Sequence, residues 1–228
     1  NLRRDFVANV SHELKTPITA IKGFVETLQD GAVNDPEDAH KFLAIVARHV
    51  DRLNAIIEDL LSLSRIEQQS KEKEKIRLEK VPLRPVIDAA KEVCETKARD
   101  KNVTFFVMCP DSFHAIINAP LMEQALVNLI DNAIKYSDED SSVQIEAEDT
   151  ESAIILSVHD RGCGIEEEHL PRIFERFYRI DKARSRKLGG TGLGLAIVKH
   201  IAQAHGGKVM VRSKLEEGSS FSIILPKE

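Results

Sequence analysis

The stretch Phe42–Leu63, FLAIVARHVDRLNAIIEDLLSL, decides the first half of the fold. Phe42, Val46, His49, Leu53, Ile56, Leu60 and Leu63 recur at steps that alternate four and three, the heptad seam of a bundle or coiled coil. Ile45, Ile57 and Leu61 widen the stripe beyond a two-stranded seam, as a four-helix core requires. Upstream, Phe6, Val10, Leu14, Ile18, Ile21, Val25 and Leu28 repeat the spacing. Asp30-Gly31 and Asn34-Asp35-Pro36 between them supply a helix stop and a fresh start. The pattern predicts an antiparallel helical hairpin over residues 1–70. One hairpin cannot bury faces this wide, so two are expected to dimerise into a four-helix bundle.

From Glu67 to Lys80, nine of fourteen residues are charged, which predicts a solvated linker, with a hinge over 71–80. Residues 81–228 change character. Runs rich in Val, Ile and Phe predict strands at Val103–Cys109, His114–Asn118, Val143–Glu148, Ala153–Asp160, Lys208–Ser213 and Ser219–Leu225. Helical patterns lie at Pro85–Arg99, Ala119–Tyr136, Glu167–Phe174 and Leu193–His205. The expectation is an α+β protein of two domains, the second a layered α/β sandwich large enough for its own core.

Composition narrows the function. Among 228 residues the net charge is −5, with no Trp and two Tyr, which argues against a nucleic-acid surface. Cys94, Cys109 and Cys163 are scattered and form no CxxC pair, so they fit neither a disulfide scaffold nor a zinc site. The longest apolar run, Val103–Cys109, is far too short for the roughly 20 residues that span a bilayer. An opening residue other than Met, inside a helical pattern, reads as a piece of a longer protein.

Four constellations carry chemistry. In Ser11-His12-Glu13-Leu14-Lys15-Thr16-Pro17, Leu14 belongs to the seam. His12 and Thr16 therefore lie one turn apart on another face, with His12 in water. Glu13 is placed to hydrogen-bond one ring nitrogen and leave the other nucleophilic. Pro17 is expected to kink the helix. An isolated His of this kind is most often only surface. Next, Asn128 and Asn132 share a helix face opposite Leu126, Leu129, Ile130 and Ala133. Two amide oxygens at that spacing suit Mg²⁺ with triphosphate oxygens, and Lys135 is placed to neutralise phosphate; alone, a polar helix face is the simpler reading. Third, Asp160-Arg161-Gly162-Cys163-Gly164 follows a strand, and its carboxylate can accept from an exocyclic amine. Last, Gly189-Gly190-Thr191-Gly192-Leu193-Gly194 opens a helix as an anion site. It has neither GxGxxG nor P-loop spacing. Between the last two lie Phe174, Arg176, Phe177, Tyr178 and Arg179, then a basic run of Lys182, Arg184, Arg186 and Lys187 able to close over a ligand.

The order of these motifs across nearly the whole chain resembles the transmitter core of bacterial sensor histidine kinases. Residues 6–24 look closest to their phosphate-starvation sensors. The second domain is similar to the ATPase fold shared with gyrase, heat-shock chaperones and mismatch-repair proteins. The resemblance implies that His12 takes the γ-phosphate of ATP, that Glu13 is the orienting base, and that Thr16 positions water for dephosphorylating the partner. It implies Mg²⁺ on Asn128 and Asn132, and a nucleotide lined by Lys135 and Tyr136. Asp160 would read the adenine amine, with Gly162 and Gly164 making room. Phe177 and Arg179 would begin a lid, and Gly190, Thr191, Gly192, Leu193 and Gly194 would underlie the phosphates. The implied partners are a second copy and the receiver domain of a response regulator, with no nucleic acid. A membrane would enter only through a sensor region absent here, making this the cytoplasmic portion of an anchored bacterial protein. One departure is Asn118-Ala119-Pro120, where many relatives carry an acidic residue. A chaperone or DNA-strand machine on the same ATPase fold, a nucleotide-binding scaffold without turnover, and a fragment acting mainly as a phosphatase remain the alternatives.

Overall fold

The computed structural model describes residues 2–71, 76–181 and 189–227. The expected basic lid run at Lys182, Arg184, Arg186 and Lys187 lies outside the described residues. Helix α1 spans Leu2–Gln29 and α2 spans Pro36–Lys71, joined by a 3₁₀ turn at Ala32–Asn34. The start of α2 follows from its first residues. The Asp35 carboxylate accepts from the backbone N–H of Glu37 and Asp38 at 2.9 and 3.2 Å, and Pro36 opens the helix where no N–H is needed. Pro17 lies inside α1, which continues through it as one element, so the expected kink does not divide the helix.

The two helices pack through Phe24 and Phe42, whose rings are 5.6 Å apart, and bury Leu28 and Ile56. Other seam and flank residues stay open in the single chain: Ile18 is 52% exposed, Ile57 40% and Leu61 53%. This is the wide apolar face the sequence predicts for a hairpin that packs against another. Further along α2, Leu63 and Ile66 leave the hairpin and join the core of the second domain. Each such fully buried side chain stabilises by about 1.5–3 kcal/mol.

The second domain has a five-stranded sheet of order β2-β4-β5-β7-β6, built from Thr104–Met108 (β2), Ser142–Asp149 (β4), Ala153–Asp160 (β5), Lys208–Lys214 (β6) and Gly218–Pro226 (β7). β2 runs parallel to β4, and every other pairing is antiparallel. Helices α3 (Leu83–Asp100), α4 (Ala119–Tyr136) and α5 (Gly194–Ala204) share the core with the sheet's Val143, Ile145, Leu156, Val158 and Ile223. Alternation along the strands follows from one face being covered.

Two readings need correction. A two-stranded ribbon joins β1 (Glu79–Pro82) to β3 (His114–Ile117), and the first residues of β1 fall in the segment read as linker. Its charged composition hides a four-residue strand. Glu167–Phe174 is not a helix: only Glu167–His169 forms a 3₁₀ turn. Pro171 has no N–H to give the carbonyl of Glu167, so the ladder cannot propagate.

Candidate functional site

Helix α4 is the frame of the site, and three side chains hold its ends. The Asn118 carboxamide caps the N-terminus, accepting from Leu121 N–H at 3.1 Å. Asn and Asp serve equally well as such a cap. The Asn118 N–H in turn donates to His205 Nε2 at 3.0 Å, while His205 Nδ1 lies 2.7 Å from the Ile201 carbonyl. That pair of bonds requires a neutral ring protonated at Nδ1. At the other end, Lys101 Nζ donates to the carbonyls of Ile134, Lys135 and Ser137 at 3.0, 3.1 and 2.8 Å. A cation there meets the negative end of the helix dipole.

Burial lowers the His205 pKa below 6.5. The unfolded chain therefore takes up this proton first as pH falls. Stability is full above 6.5 and declines as pH drops toward the folded-state value. Burial of His200 acts in the same sense. Thermal melts between pH 7 and 5 are expected to show a falling melting temperature, with a shallower slope in His205→Gln. An unchanged slope would contradict this assignment.

Asn128 and Asn132 sit half-buried on one face of α4, opposite the buried Leu126, Leu129, Ile130 and Ala133. Asn128 Oδ1 lies against the start of α5, 3.1 Å from where a Cβ on Gly194 would be. Lys135 is 3.6 Å from Asp131, and burial lowers its pKa. The amide oxygens are neutral hard donors, which fit Mg²⁺ sharing its shell with water and phosphate.

At the C-terminal end of α4 the Asp160 loop closes in. Asp160 is 9% exposed, and its Oδ1 accepts from Gly162 N–H at 2.8 Å and Ser219 N–H at 3.2 Å. Burial raises its pKa against those two bonds. A Cβ on Gly162 would stand 2.4 Å from the Tyr136 carbonyl oxygen. The loop therefore seats on the backbone of Tyr136 only because that residue is Gly.

The glycine-rich segment leads into the start of α5, where Gly194 faces Asn128. Gly192 has φ +81°, and its carbonyl accepts from Phe177 N–H at 2.7 Å. Arg179 donates to the Thr191 carbonyl. Its side chain is 4% exposed, and Nε and Nη1 have no partner among the described residues. A buried guanidinium with unspent donors beside a Gly-rich helix start fits a polyanion.

His12 is exposed on the hairpin, with Thr16 Oγ1 donating to its carbonyl at 3.1 Å. Glu13 departs from expectation. Its Oε2 accepts from Arg52 Nη2 at 2.9 Å and Arg179 Nη2 at 3.1 Å, so it engages two guanidiniums rather than the ring of His12. Two guanidinium cations offer a carboxylate stronger, charge-assisted hydrogen bonds than one ring N–H. The hairpin and the Gly-rich site are thus in contact. Thr191 Oγ1 donates to Asp59 Oδ2 at 2.6 Å, Arg176 pairs with Glu67, and the Phe6 and Phe177 rings are 6.0 Å apart. Arg52, Asp59 and Glu67 belong to no motif. Arg52 and Asp59, one heptad apart beside the seam, were the only visible trace of this polar line.

Residues 2–69 match the family model described as the His Kinase A (phospho-acceptor) domain, and residues 117–228 match the Histidine kinase-, DNA gyrase B-, and HSP90-like ATPase. The sensor protein SrrB of Staphylococcus aureus strain NCTC 8325 is 39% identical over 99% of this chain. The chain spans 38% of that relative's length. Among solved structures, the Acinetobacter baumannii histidine kinase AdeS aligns with a TM-score of 0.73 at 28% identity, covering 94% of this chain and 97% of that one. Histidine kinase ThkA in complex with response regulator protein TrrA aligns with a TM-score of 0.78 at 26% identity, covering 98% and 61%.

Proposed function

Because the chain belongs to the histidine kinases, joining their phosphoacceptor hairpin to their ATPase domain, we propose that it autophosphorylates His12 from Mg-ATP and passes the phosphoryl group to an aspartate of a response regulator. The observation that carries this reading is the direct contact between Arg179 of the Gly-rich site and Glu13, the neighbour of His12. One chain brings its nucleotide site to its phosphoacceptor box.

In the transfer, a ring nitrogen of His12 forms the N–P bond while the bond from the γ-phosphorus to the bridging oxygen breaks and ADP leaves. The imidazole loses a proton, and Glu13, the adjacent carboxylate, is the group proposed to orient the ring and accept it. This demands that Glu13 leave the arginines, by a movement of the hairpin relative to the second domain. Asn128 and Asn132 would hold Mg²⁺, which supplies charge neutralisation for the triphosphate. Asp160 accepts from the adenine amine, and Arg179 has the free donors for phosphate oxygens. Such transfer is mainly positioning and electrostatics, so rigidity of α4 matters as much as its side chains.

The exposed apolar hairpin face supports a homodimer, and the ThkA–TrrA complex supports a receiver domain as partner. No helix among the described residues is long and apolar enough to cross a membrane. Thr16, one turn from His12, is proposed to orient water for dephosphorylating the receiver. Thr16→Ala is expected to keep His12 labelling but slow release of phosphate from a phosphorylated receiver by about 10- to 100-fold. Loss of both activities together, or of neither, would remove this role from Thr16.

A further inference from the structure

Asp59 has no motif and no place in the transfer step, yet its carboxylate is inserted into the site. It lies on α2 of the hairpin, and its Oδ2 accepts a hydrogen bond from the Thr191 hydroxyl at 2.6 Å. The same hydroxyl oxygen accepts from Leu193 N–H at 3.2 Å, so this side chain is built into the turn that starts α5. Asp59 makes no ion pair among the described residues, and Lys135 is the cation that acts on it from a distance. Burial raises its pKa, and Glu58 and Asp131 oppose its charge further. A desolvated carboxylate without a direct cation is costly, so the contact is not one that stability alone would select.

Glu13 does the equivalent on Arg179. Two carboxylates of the hairpin therefore sit on two groups suited to anionic oxygens: the hydroxyl of the Gly-rich turn and a guanidinium with spare donors. We propose that Asp59 is a further affinity-setting residue of the nucleotide site, standing in for a nucleotide phosphate at Thr191, so that the hairpin and the triphosphate compete for the same groups. The proposal rests on the reading that ATP phosphates lie on the Gly-rich turn. Binding of Mg-ATP then displaces Asp59 and releases the hairpin from the docked arrangement. By linkage, whatever holds the hairpin docked weakens ATP by the same factor.

The variant is Asp59→Asn, which keeps shape and an acceptor for Thr191 while removing the charge. Calorimetry on parent and variant would use Mg-AMPPNP and, separately, adenosine. Mg-AMPPNP is expected to bind the variant about 5- to 20-fold more tightly, within the usual range of coupling between linked sites, while adenosine is unchanged. In kinase assays the gain appears as a lower KM for ATP with kcat little altered. Equal Mg-AMPPNP affinities, or weaker binding by the variant, overturn the proposal. So does tighter binding of both ligands in parallel, because that reports general opening rather than competition for the phosphate position. Failure of the parent to bind Mg-AMPPNP at all overturns the nucleotide reading itself and the competition with it.

Discussion

Gly164→Ala is expected to abolish nucleotide binding and to destabilise the second domain by about 3 kcal/mol or more. Two costs add. Gly164 has φ +68°, where an L-residue is disfavoured by roughly 1–2 kcal/mol. A Cβ there would also lie 2.0 Å from the Lys214 carbonyl oxygen and 2.7 Å from its carbon. Both are backbone atoms of β6, fixed by the ladder to β7, and cannot rotate away. The loop must move instead, breaking the bond of Glu216 N–H to the Cys163 carbonyl and that of Ile165 N–H to Ser213 Oγ, each 2.8 Å. Asp160 and Gly162 are carried with it. Gly23→Ala is the internal control: it lies within α1 with nothing within 4 Å of its Cβ position. There the same substitution should stabilise by about 0.5–1 kcal/mol. Thermal melts and calorimetry on both variants check the pair, and equal effects at the two glycines would contradict the account.

Asn132→Ala should leave the fold intact and reduce autophosphorylation on the order of 100- to 1,000-fold, the typical loss when one preorganised electrostatic group is removed from a transfer site. The side chain is half-buried on the polar face of α4, away from the core residues Leu129, Ile130 and Ala133. The cap by Asn118 and the cation of Lys101 hold the helix whether or not Asn132 is present. A melting temperature close to the parent's together with lost labelling would place Asn132 in the chemistry. Full labelling at saturating Mg-ATP would show that the amide is only helix surface. If raising Mg²⁺ restored part of the rate, the loss would be assigned to metal binding.

The sequence disclosed most where a single physical requirement repeats along the chain. The seam of α2 was legible because every turn must bury an apolar residue, and Ala119–Tyr136 because cap, face and length agree. The Gly-rich turns of the candidate site were legible because a backbone that closely approaches a carbonyl tolerates only Gly, as at Gly162. What stayed hidden depends on pairing between distant segments. Nothing local marks Lys101 as the cation over the end of α4, or His205 as the acceptor for Asn118 N–H. Glu13 was assigned to His12 because it is adjacent in sequence, whereas Arg52 and Arg179 reach it from residues 39 and 166 positions away. The misread helix at Glu167–Phe174 has a local cause, Pro171, whose missing N–H outweighs the apolar spacing. The strand at Glu79–Pro82 was lost in a charged run that its short length could not overcome.

The central claim is that His12 receives the γ-phosphate of ATP. The direct measurement is incubation of the chain and of His12→Gln with Mg-ATP labelled on the γ-phosphate, followed by acid and base treatment of the protein. Label is expected on the parent that is lost in acid and retained in base, as a phosphoramidate requires, and none on the variant. Label that survives acid, or that persists in His12→Gln, would contradict it.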